Sequence, residues 1–65
     1  MPFTVISWMT YDASTQILRV HFVSGLVYDY RDVPAHVYSE MRAASSKGSY
    51  LNQHIKGHYP FKKVK

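Results

Sequence analysis

The alternation Leu18-Arg19-Val20-His21-Phe22, followed by Ser24-Gly25 and then by Tyr28-Asp29-Tyr30, constrains this 65-residue chain more than any other feature. Apolar residues at every second position mark a strand with one buried face. Ser24-Gly25 supplies a turn in which Gly25 can take positive φ, so Leu26 to Arg31 returns as an antiparallel partner. A chain this short buries only about 60% of the surface exposed on unfolding. There are no cysteines, so neither a disulfide nor a thiolate zinc site can supplement the core. Side-chain packing must hold the fold, and the ten aromatic residues are the main material for it.

Two hairpin registers are open, and they aim the tyrosines in opposite directions. With a two-residue Ser24-Gly25 loop, His21 faces Tyr28 and Arg19 faces Tyr30, so the rings form an outer stacking platform. Val20 is then set beside an unpartnered Asp29 on the inner face, which is costly. With a three-residue Ser24-Gly25-Leu26 loop, Phe22 faces Tyr28 and Val20 faces Tyr30. The tyrosines then line the core, and Asp29 moves out beside Arg19 and His21. This register satisfies more groups and is the expected one.

Around the hairpin, the β-branched and aromatic run Phe3 to Tyr11 predicts a first strand, with Asp12-Ala13-Ser14-Thr15 as a turn. Beyond Asp32 the period lengthens. Val33, Val37, Met41 and Ala44 share a helical face with Tyr38 beside it, Asp32 offers a cap and Pro34 suits the first turn, predicting a helix from about Pro34 to Ala44. Ser45-Ser46-Lys47-Gly48-Ser49 breaks it. Tyr50, Leu51, His54 and Ile55 form a second short amphipathic face that Gly57 ends, and Tyr59-Pro60-Phe61 lies back on the fold. The expected class is α+β: a three-stranded antiparallel meander followed by two short helices on one face, in the order β-β-β-α-α. Residues 1–65 form a single domain in this reading, with 60–65 a frayed basic tail.

The net charge of +4 is unevenly placed. Residues 1–40 carry two arginines against Asp12, Asp29, Asp32 and Glu40, a net −2. Residues 41–65 carry Arg42, Lys47, Lys56, Lys62, Lys63 and Lys65 with no acid, a net +6. Such a segment attracts polyanions, nucleic acid foremost. Within it, Ser46 to Lys56 gathers hydrogen-bond donors and a glycine at a helix start, where free N–H groups favour phosphate. Lys47, Gly48, Tyr50, Asn52, Lys56, Lys62 and Lys63 are the candidate RNA-binding residues, the lysines for phosphate and Tyr50 for stacking. The simpler reading has Ser46 or Ser49 capping a helix whose Tyr50, Leu51 and Ile55 complete the core.

Other chemistry finds little support. No nucleophile motif, phosphate loop or zinc-protease signature is present, and each carboxylate has an ordinary role, so an enzyme is not expected. His54 and His58 have i, i+4 spacing, but Gly57 intervenes and a third ligand is missing, so neither a metal nor another cofactor is expected. His36 and Glu40 make a surface pair. No secretion signal or membrane-length apolar run is found, which makes a cytoplasmic location without membrane association the default.

Tyr11-Asp12, Leu18-x-Val20-x-Phe22, Ser24-Gly25 with Tyr28-x-Tyr30, Val33-Pro34 with Val37-Tyr38, Ser46-x-Gly48-x-Tyr50-x-Asn52, Ile55-Lys56 and Tyr59-Pro60 together resemble the KTSC domain. This small bacterial domain occurs free-standing and at the C-terminus of some lysyl-tRNA synthetases. The resemblance runs from about Ile6 to Pro60, departs from expectation where Leu51 stands in place of Phe, and assigns no catalytic residue. Through the synthetase it implies RNA as a partner. The competing expectation is a protein-interaction module that uses the third strand or a tyrosine-rich sheet face.

Overall fold

The computed structural model describes residues 6–65. The Phe3 to Val5 start of the expected first strand lies outside the described residues. Four strands, β1 (Ile6–Asp12), β2 (Ile17–Phe22), β3 (Val27–Tyr30) and β4 (Phe61–Lys63), form an antiparallel sheet in sequence order. Helix α1 (Ala35–Ala43) follows β3, and α2 (Lys47–Tyr50) runs on into a wider π-helical turn over Leu51–Ile55, where the Lys56 N–H reaches the Leu51 carbonyl.

The expected α+β meander with two helices is present, but the sheet has a fourth strand. Phe61–Lys63 pairs with β3 (Tyr28 with Lys63, Tyr30 with Phe61), and the Val27 N–H donates to the Lys65 carbonyl. Residues 60–65 are therefore held by backbone hydrogen bonds rather than frayed. A three-residue strand with two lysines has too little period to announce itself, and β3 supplies the pairing that defines it.

The tyrosines face the core side, as the three-residue loop requires, although the register differs by two residues from the expected pairing. Leu18 pairs with Tyr30 and Val20 with Tyr28, because the loop is Val23-Ser24-Gly25 and the Phe22 N–H bonds to the Leu26 carbonyl. A shift of two preserves facing, so the burial pattern survives the change. Gly25 (φ 98) and Gly57 (φ 84) occupy the left-handed conformations expected of them.

The core lies between the sheet and the helices: Leu18, Val20 and Tyr30 meet Val33, Val37, Met41, Leu51 and Ile55. Met9, Tyr11, Phe22, Tyr28, Tyr38, Tyr50 and Tyr59 pack around it. Asp32 does not cap α1. It sits at φ 61 in the linker, and Pro34 holds the N-cap position without a side-chain hydrogen bond. Asp12 does shape its turn, its Oδ1 accepting from the Ser14 N–H and hydroxyl. Those bonds hold the Asp12 carboxyl below its usual range.

Candidate nucleic-acid interface

A bulge in β1 brings residues of both parities, Ile6 as well as Met9 and Tyr11, onto the core side. Ile6 pairs with Phe22 while Trp8 pairs with His21, so the register shifts by one residue across Ser7. A regular strand would put Ile6 and Trp8 on the same face. The extra residue instead lets Ile6 pack on the core, while Trp8 keeps the register of Met9 to Asp12 and, by alternation with the core-packed Met9 and Tyr11, faces away from the helices. There its ring lies on His21, with centroids 3.8 Å apart and planes 9° from parallel, and Trp8 remains 54% exposed.

Farther along the same face, Arg19 Nε and Nη2 donate to Asp29 Oδ1 and Oδ2 at 2.7 and 2.9 Å. This is the cross-strand partnership expected of Asp29. The hydrogen bonds from Arg19 hold the Asp29 carboxyl low against the opposing effect of partial burial, and Lys62, opposite Asp29 on β4, acts in the same direction. Lys62 is thus tied electrostatically to an acid on the outer face.

Where β1 meets α1, an open groove of about 400 Å³ is walled by Ile6, Trp8 and Met9 on one side and by Tyr38, Arg42 and Lys47 on the other. Tyr38 stacks on Tyr11 at 4.8 Å, and the Arg42 guanidinium sits 5.7 Å from the Tyr38 ring centre. The Tyr11 hydroxyl donates to the Val33 carbonyl, which anchors the base of this column.

The candidate residues from the sequence do not form one patch. Lys47 is exposed and lines the β1 groove, while Lys56 is exposed at the far end of the π-helical turn. Lys62 and Lys63 are successive β4 residues and point to opposite faces, Lys62 outward opposite Asp29 and Lys63 on the side of Tyr28. Gly48 and Asn52 are half-buried within the helical segment.

Tyr50 is engaged by the protein itself. Its hydroxyl donates to Glu40 Oε1 at 3.0 Å and its ring lies 4.5 Å from that of His54, while burial and the bond to Glu40 raise its ionisation above the ordinary tyrosine value. Glu40 therefore takes Tyr50 as its hydrogen-bond partner, where a surface pair with His36 was expected. The start of α2 is likewise closed from within, because the Ser46 hydroxyl oxygen accepts the Ser49 N–H.

Trp8, Tyr38 and Arg42 were absent from the sequence candidates. Alternation along β1 could have singled out Trp8, since a strand with Met9 and Tyr11 on its core side places Trp8 opposite His21 on the other. Arg42 was visible as a charge, without the neighbours that give it a site.

Among the described residues, no helix is long and apolar enough to cross a membrane. Nor do three or more His, Asp or Glu side chains gather to hold a metal ion.

The geometry agrees with known relatives. A crystal structure of a KTSC domain protein from Yersinia pestis superposes with a TM-score of 0.88 at 27% identity, covering 100% of this chain and 92% of that one. A lysine–tRNA ligase of Nostoc punctiforme is 39% identical over 61 residues, 94% of this chain and 11% of the ligase. The chain thus spans about a tenth of the curated ligases it matches. An uncharacterised protein of Stutzerimonas stutzeri is 40% identical over 55 residues, covering 78% of that protein. The KTSC domain family model matches residues 4–59, and this chain belongs to the KTSC domain family.

Proposed function

We propose that this KTSC domain is a small non-catalytic RNA-binding domain that takes tRNA-like or structured RNA through its basic C-terminal half. The observation that carries this reading is the acid-free segment 41–65, whose lysines are all exposed. The nearest carboxylate in sequence, Glu40, is hydrogen-bonded by Tyr50. Lys47, Lys56, Lys62 and Lys63 contact phosphates, while Gly48, Tyr50 and Asn52 shape the helical segment between Lys47 and Lys56. The similarity to part of a lysine–tRNA ligase supports RNA as the polyanion. Amide shift mapping with tRNA at two salt concentrations tests it. Shifts around Lys47 to Lys56 that fade at the higher salt are expected, and their absence at low salt overturns the reading.

A second reading, a protein-interaction module, draws on the exposed apolar side chains Trp8 and Val64. The third strand is not available for it, since β4 covers that edge, and the Tyr28 and Tyr30 rings lie on the helix side. Concentration-dependent sedimentation without RNA is the outcome that would favour it.

A further inference from the structure

We propose that an unpaired RNA base stacks on Trp8 at the mouth of the groove between β1 and α1, with Arg42 and Lys47 holding the adjoining phosphates. This inference rests on the RNA-binding reading and names a different contact surface within it.

Three observations converge on the groove. Trp8 is 54% exposed on the outer face of β1, where it is backed by the His21 ring. A backed indole is held in one orientation, which limits the side-chain entropy lost when a base joins the stack. Across the groove, Arg42 is placed over Tyr38, so a guanidinium is presented at the rim on a fixed aromatic support. Lys47 adds a second cation, and among the described residues no carboxylate lines the groove. Its volume of about 400 Å³ lies in the range of small-ligand sites, roughly 300–1,000 Å³.

Charge complementarity chooses the occupant. Two cations in a groove lined by no carboxylate among the described residues select an anion, and an exposed indole selects a flat π surface; an unpaired nucleotide offers both. A base inside a duplex cannot reach Trp8, because both its faces are already stacked. The ligand is therefore a loop, bulge or single-stranded end.

Trp8 is the only tryptophan, so intrinsic fluorescence reports on this site directly. The whole chain is titrated at low salt with a short oligoadenylate and, separately, with a blunt RNA duplex of equal length. Strong quenching by the single strand and little by the duplex is expected. Trp8→Ala should weaken single-strand binding roughly 5- to 150-fold, the range for losing one stacked base, and Trp8→Phe should recover most of it. Lys47→Glu should weaken binding while leaving the amide spectrum folded. Single-strand binding with unchanged fluorescence and an unchanged affinity for Trp8→Ala overturns the proposal and leaves the RNA-binding function standing. No binding of either RNA overturns both. Quenching that rises with protein concentration alone assigns the groove to a second copy of the chain and also overturns it.

Discussion

Phe61 stacks on Tyr28, ring centroids 5.3 Å apart and planes 15° from parallel, and so fastens the last strand to the centre of the sheet. Phe61 also lies 5.8 Å from the Tyr30 ring. The C-terminal segment is consequently part of the fold, although its lysines read as a solvated tail.

Removal of residues 61–65 should therefore destabilise the domain. Phe61→Ala alone should cost about 1 kcal/mol, the scale of an aromatic pair, reduced by the 55% exposure of Phe61. Urea denaturation of the two variants checks this. An unchanged midpoint for the truncated chain would show that β4 contributes nothing to stability.

Leu51 is 1% exposed and sits with Met41 and Ile55 in the core. Leu51→Ala should cost about 2–5 kcal/mol through lost burial and the cavity left behind. A domain of this size has only about 3–10 kcal/mol in total, so a substantial unfolded fraction should be visible by circular dichroism.

Gln16 holds φ 57 while its carbonyl accepts the Val33 N–H at 3.0 Å. Glycine relieves the left-handed strain without touching that backbone bond. Gln16→Gly should raise stability by up to about 1 kcal/mol, read as a higher urea midpoint at unchanged slope.

The Arg19–Asp29 pair predicts a pH dependence. The Asp29 carboxyl is held low by Arg19, so its folded value lies below the ordinary carboxylate value of about 3.9. Its contribution to stability is present above that unfolded value and is lost as pH falls through the depressed folded one. In Arg19→Ala the Asp29 carboxyl should titrate at higher pH, followed by carboxyl NMR, and this part of the acid loss of stability should shrink. An Asp29 titration unmoved by Arg19→Ala would contradict the pairing.

Much of the fold was legible because facing is a matter of parity. The alternation Leu18, Val20, Phe22 and the position of Asp29 determine which side the tyrosines take. A loop centred on Ser24 instead of Gly25 moves the pairs by two and leaves that side unchanged. The β1 bulge has no such protection, since one extra residue at Ser7 turns Ile6 to the core side, and no local pattern marks the site of a bulge. Helix α1 was legible in its apolar face but not in its cap: the left-handed Asp32 turns the chain, and Pro34 takes the cap position.

The candidate site was legible as charge and not as surface. Six cations in 25 residues predict attraction to a polyanion, but strand alternation separates Lys62 from Lys63, and the length of the second helical segment separates Lys47 from Lys56. The partnership of Tyr50 with Glu40 links residues ten apart on different helices, beyond the reach of any motif.

The salt dependence of tRNA affinity tests the central claim most directly. Three or four lysine–phosphate contacts predict a log-log slope between about −2 and −4, made shallower when Lys47 and Lys56 are replaced by alanine. Absence of binding at low salt, or a slope that ignores those substitutions, would contradict the account.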